Sequence, residues 1–111
     1  MKITKILIPI FNDWRSVFKL LENINFTLDG WDADVSVIII NDASTEKKPD
    51  NNGVFKNISS IKIINMKKNR GHARCIAAGL KYINENEKFD FVIPMDGDGE
   101  DLPSEIGPIL C

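Results

Sequence analysis

The stretch "DVSVIIIND", Asp34 to Asp42, decides how the chain folds. It is a short β-branched run that opens on a charge and closes on two polar residues, the signature of a strand rather than of a helix. Three further runs share this form: "KILIPIF" (Lys5 to Phe11), "SIKIIN" (Ser60 to Asn65) and "FDFVIPMD" (Phe89 to Asp96). Between the first two lies "DWRSVFKLLENINFTL", in which Val17, Leu20, Leu21, Ile24 and Leu28 recur at helical spacing. "HARCIAAGLKYINEN" precedes the fourth run and places Ile76, Leu80 and Ile83 along one side of a second helix. Asn12 or Asp13 supplies the N-cap of the first helix, and "STEKKPDNNG" reads as a polar loop. Strands that alternate with helices or crossovers predict an α/β fold, a mostly parallel sheet with helices on both faces.

Composition bounds the rest. The 111 residues form one domain with a modest core, 1–111, and 43% of them are apolar. A formal charge of −2 leaves no basic excess of the kind that marks nucleic-acid binding, so no nucleic-acid partner is expected. No apolar run exceeds a strand's length, and "MKITKILIPIF" lacks the pattern of a signal peptide, which predicts a cytoplasmic chain. Cys75 and Cys111 are too few for a disulfide framework or a zinc site. Cys75, Trp14 and Trp31 are expected to pack.

Each strand ends in a polar cluster: "PIFND", "NDAS", "NRGH" and "DGDGED" in order. In an open parallel sheet these ends share one edge, and ligands settle there, where the strand order reverses. The last cluster follows "FVIPM" directly and holds Asp96, Asp98, Glu100 and Asp101. Carboxylates cannot neutralise a diphosphate, but they can hold a divalent cation that does, and hard oxygen donors suit Mg or Mn. Alternation in an extended segment lets Asp98 and Glu100 face the metal together, with Asp96 turned elsewhere or toward a ribose.

These motifs resemble the inverting family 2 glycosyltransferases of GT-A fold, from Ile6 to about Ile106. "ILIPIFND" looks like the family's "VIPVYNE", "IIINDAST" like "VVDDGST", "MDGDGEDLP" like "DADLQDPP", and "NRGHARCIAAGL" is similar to its asparagine-glycine helix opening. "NRGH", with Gly79 nine residues after Arg70 and the acidic segment beyond, is closest to the polyprenyl- or dolichyl-phosphate sugar transferases. The resemblance implies a Rossmann-like nucleotide-binding half of a GT-A enzyme, with a UDP- or GDP-sugar donor lying across the strand ends. Pro9, Phe11 and Asp13 would line the nucleotide, Asp42 would accept a hydrogen bond from the ring N–H of the base, and Asp96 would sit beside the ribose or diphosphate. Asp98 would bind the metal, Glu100 standing where a glutamine often assists.

The sequence also departs from the family pattern. Asn41 stands in place of an aspartate, and Ile76 in place of an arginine, which leaves Arg70 or Arg74 to serve the phosphates. The acceptor half and the catalytic base are expected beyond Cys111, so the chain reads as the N-terminal donor-binding part of a hexosyltransferase that acts in cell-envelope polysaccharide synthesis. That part is expected to be inactive alone and to self-associate through an uncovered sheet edge. The implied acceptor is a lipid phosphate or glycan, met at the cytoplasmic face of the membrane through downstream segments.

Two other classes of function compete. A nucleotidyltransferase would carry a glycine-rich phosphate loop after the first strand, whereas "PIFNDWRS" has no glycine. A non-catalytic nucleotide-binding module would keep the fold without the acids. Several residues also have plain structural readings. Asp13 is equally a helix cap, Asp42 with Ser44 an Asx-type turn, and His72 a cap or a phosphate neighbour.

Overall fold

A computed structural model describes residues 2–46, 48 and 55–95 of the chain. The elements run β1 (Ile3–Ile10), α1 (Trp14–Thr27), β2 (Asp34–Asn41), β3 (Ser60–Asn65), α2 (His72–Asn86) and β4 (Phe91–Pro94). All four strands are parallel, in the order β3-β2-β1-β4. The chain moves outward from β1 to β3 and then crosses back to the far side of β1. The order therefore reverses between β1 and β4, the kind of switch point near whose strand ends ligands settle in open parallel sheets.

Alternation along the two central strands builds two cores. Ile6, Ile8 and Ile10 of β1 with Val35, Val37 and Ile39 of β2 pack against Trp14, Val17, Leu20, Leu21 and Ile24 of α1. Phe55 and Ile58, from the β2–β3 connection, close the same face. On the other face Leu7, Ile38 and Ile40 meet Cys75 and Ile83 of α2. Each of these large side chains, once fully buried, contributes on the order of 1.5–3 kcal/mol, so the two central strands carry most of the stabilisation. The right-handed crossover rule places the two helices on opposite faces, as the alternation of elements predicts.

The second helix differs from the helical stripe expected for it. Its buried positions are Cys75, Gly79 and Ile83, while Leu80 is 41% exposed and Ile76 only partly buried. The reason is steric. A Cβ on Gly79 would collide with both methyl groups of Leu7 and lie 3.2 Å from Cγ1 of Ile40, so the small residues, not the large ones, face the sheet and let the helix approach it. Trp31 likewise is not a core residue and remains 38% exposed. At its far end α2 is fastened to the edge strand by the Lys62–Glu87 ion pair, Nζ to Oε1 at 2.8 Å, with Lys62 also over the Tyr82 ring.

The close approach at Gly79 generates a prediction. Leu7 is fully buried and its methyl groups would have to give way, so Gly79→Ala should lower stability by about 1–2 kcal/mol. This is the net of an overpacking cost and the ~1 kcal/mol by which alanine favours a helix over glycine. Urea denaturation monitored by circular dichroism measures it, and an increase in stability would show that the helix is not held at this distance.

Candidate functional site

The polar residues at the strand ends divide between the two faces of the sheet. On the α1 face, Asn12 and the loop after β2 clasp each other. The Asn12 backbone N–H donates to Ser44 Oγ at 2.8 Å, its amide donates to Thr45 Oγ1 at 2.9 Å, and its Oδ1 accepts the Glu46 N–H at 2.8 Å. Trp14 Nε1 donates to the Glu46 carbonyl, and Asn41 joins the clasp by accepting from the Ser44 hydroxyl and donating to Asn65 Oδ1. An aspartate at position 41 would lack that last donor. Asn12 and Ala43 both adopt left-handed backbone, φ 57° in each case. Asparagine tolerates this conformation, whereas alanine is strained there by about 1–2 kcal/mol, and Ala43 stands where the pattern "VVDDGST" carries its glycine.

Asp42 continues the set of side chains that face α2, and it is only 5% exposed. Its Oδ1 accepts the Arg70 N–H at 2.7 Å and its Oδ2 the Gly71 N–H at 2.9 Å, while its carbonyl accepts from the Asn69 amide. Gly71 occupies the N-cap position of α2 at φ 92°, a conformation that favours glycine, and no side chain of the helix caps it. The carboxylate of Asp42, delivered from the neighbouring strand, instead holds the two N–H groups just before the helix and lies near the positive end of its dipole. Burial works against its charged form, but the two backbone N–H groups and the Cys75 thiol outweigh it and hold the carboxyl below its ordinary value. The Cys75 thiol is in turn pushed up to about 11 by burial and by Asp42, so it stays protonated at neutral pH.

Around this carboxylate Pro9, Ile10, Phe11, Asp42, His72 and Cys75 line a pocket of about 100 Å³ between the ends of β1 and β2 and the first turn of α2. Phe11 is 48% exposed at its mouth. Of the residues expected to contact a nucleotide, the structure thus gathers Pro9, Phe11 and Asp42. Asp13 sits at the N-cap position of α1, makes no side-chain cap hydrogen bond and does not line the pocket. Arg70 and Arg74 are exposed beside the start of α2. Asp96, Asp98 and Glu100 lie outside the described residues, among which no group of three His, Cys, Asp or Glu side chains is placed to hold a metal ion. The sequence reading missed Ile10 and assigned Cys75 to packing alone. Their signal was their place at a strand end and one turn inside α2.

A four-stranded parallel sheet with one helix packed on each face defines an α/β domain of the Rossmann-like class. Residues 5–110 match the family described as Glycosyl transferase family 2, and the chain belongs to that family. A curated relative, the uncharacterized protein MJ0544 of Methanocaldococcus jannaschii, is 26% identical over 106 residues, which cover 94% of this chain and 44% of the relative. The chain thus spans less than half the length of that protein. Among solved structures, S. aureus TarS 1–349 shares the fold with a TM-score of 0.73 at 19% identity, covering 98% of this chain and 31% of that one. A second crystal structure of S. aureus TarS gives 0.64 at 19% identity, covering 88% and 17%. The fold is therefore the one expected for a GT-A glycosyltransferase. No helix among the described residues is long and apolar enough to cross a membrane.

The Asp42 hydrogen bonds imply a definite pH response. Because its folded pKa lies below the ordinary carboxylate value of 3.8, the ionised side chain contributes stability that is present above that value and is lost as pH falls through the lower, folded one. Asp42→Asn presents an N–H₂ group to a backbone donor and should cost about 1–3 kcal/mol at neutral pH, with the difference from the unsubstituted protein shrinking below pH 3.8. Thermal melts of both proteins across this range test it. A difference independent of pH would remove the charge from the account.

Proposed function

We propose that the chain is the donor-binding part of a metal-dependent, inverting glycosyltransferase that takes a UDP- or GDP-sugar and passes the hexosyl group to a lipid phosphate or glycan acceptor. The observation that carries this reading is the pocket in which the buried Asp42 carboxylate and the exposed Phe11 ring meet at the ends of β1 and β2. An ionised carboxylate offers about four lone-pair positions, and the Arg70 and Gly71 N–H groups with the Cys75 thiol occupy three of them. One remains for a ring N–H, which uracil and guanine both possess. Pro9 and Phe11 would supply apolar contact to the base. Asp13, nearby at the start of α1, and Asp96, next in sequence after Met95, would serve the sugar side of the nucleotide, and Arg70 and Arg74 the phosphates.

The family implies a divalent cation, and the carboxylates of Asp98 and Glu100 have the hard-donor chemistry that suits Mg or Mn. Such a cation, when bound, stabilises negative charge on the leaving diphosphate. The chain's own residues hold the donor and orient it, and they keep its base away from water. An acceptor oxygen attacking the anomeric carbon from the opposite side would need a general base. The membership in Glycosyl transferase family 2 favours this reading over nucleotidyl transfer.

Isothermal titration tests the proposal without an acceptor. UDP or GDP should bind in the presence of Mn, and Asp98→Asn should abolish the Mn-dependent part while leaving the thermal melt unchanged. Phe11→Ala should weaken nucleotide by about tenfold through loss of ~1–3 kcal/mol of base stacking, yet leave Mn-pyrophosphate binding unaltered. Equal weakening of both ligands would place the base elsewhere.

A further inference from the structure

Charge is distributed unevenly along the sequence. Between Asn51 and Asn84 there is no Asp or Glu, although the chain holds 16 of them, while the same stretch carries Lys56, Lys62, Lys67, Lys68, Arg70, Arg74 and Lys81. Lys56 and Lys62 are spent on ion pairs with Asp29 and Glu87. Lys67, Lys68, Arg70 and Arg74 are all exposed, and none has a carboxylate partner among the described residues. They lie within eight consecutive positions that lead from the edge strand β3 into the first turn of α2.

The backbone of this segment is pinned at both ends. The Met66 N–H donates to the Asn41 carbonyl at 2.8 Å, and four residues later the Arg70 N–H donates to Asp42 at 2.7 Å. The short excursion between these anchors carries Lys67 and Lys68 outward on a fixed frame, so little backbone entropy remains to be lost on binding. The positive end of the α2 dipole lies at the same corner. The Asp42 carboxylate meets that dipole end and offsets it, so the net charge of the corner is that of its exposed side chains. Asp42 is turned inward onto the Arg70 and Gly71 N–H groups, and the Glu46 backbone is tied to Asn12 and Trp14 at the start of α1.

We infer that Lys67 and Lys68, joined by Arg70 and Arg74 where no donor phosphate occupies them, form a docking surface for an anionic lipid bilayer that sets the strand-end crevice against the membrane interface. Exposed lysines and arginines within one short segment suit diffuse headgroup charge, to which each cation near the surface adds attraction. A nucleic-acid strand calls for aromatic platforms among the cations, and Lys67 to Arg74 contains no Phe, Tyr or Trp. The inference does not depend on which nucleotide the neighbouring pocket takes.

Vesicle co-sedimentation of the full chain tests it, comparing phosphatidylcholine alone with phosphatidylcholine containing phosphatidylglycerol. Binding is expected only to the anionic vesicles and should be lost as salt is raised through the range that screens surface charge. Lys67→Glu combined with Lys68→Glu should weaken it at least about tenfold, while the melting temperature and nucleotide binding stay unchanged, because neither side chain contacts the pocket. Equal binding to neutral vesicles, no loss in the double variant, or binding to soluble polyphosphate without binding to vesicles would each overturn the inference.

Discussion

The Asp42 carboxylate joins the two halves of the site. It projects from the end of β2, and its oxygens take the N–H groups of Arg70 and Gly71 just before α2 begins. These two donors lie just before a helix whose N-cap is a glycine and which no side chain caps, next to a buried sheet end. The strand supplies their acceptor, and those N–H groups with the Cys75 thiol supply the stabilisation that lets an acid remain ionised when 5% exposed. This one contact sets where α2 starts, and with it the positions of His72 and Cys75 in the pocket and of the basic corner outside it.

The opposite face obeys a parallel constraint. Asn12 and Ala43 turn left-handed at the ends of β1 and β2, and the strain at Ala43 is tolerated because Asn12, Asn41, Ser44, Thr45 and Glu46 close a hydrogen-bonded clasp around it. Strained backbone held by its surroundings is common where a site must keep its shape. Here the clasp fixes the exit of β1 and so the place of Phe11. Two loops that would be independent in a sheet alone are fastened together before any ligand arrives.

Much of this was legible in the sequence because the signals are local. The four strands and two helices follow from β-branched runs and helical spacing, and the observed ends of β3 coincide with the quoted stretch Ser60 to Asn65. The polar clusters pointed to the strand ends, and the resemblance to family 2 glycosyltransferases to Pro9, Phe11 and Asp42 there. What stayed hidden depends on which elements meet. The helical pattern favoured Leu80 for the core, but Gly79 lets the backbone come so near Leu7 that Leu80 is turned to solvent. Asp13 was equally a cap or a ligand by type, and only the geometry shows that it makes no cap hydrogen bond. That Asp42 would reach the N–H groups of residues 28 and 29 positions away has no sequence signature. The segregation of charge between Asn51 and Asn84 was visible all along, but a net charge of −2 concealed it.

The claim that most needs testing is that the pocket organised by Asp42 receives the base of a nucleotide. Amide resonances of the isotopically labelled chain, followed by NMR while UDP or GDP is added with magnesium, report on it directly. The account predicts that shifts concentrate at Phe11, Asp42, Arg70, Gly71 and His72, with the Arg70 and Gly71 N–H signals moving as Asp42 gains a further donor. Shifts confined to other residues, with these five unmoved at saturating nucleotide, would contradict it.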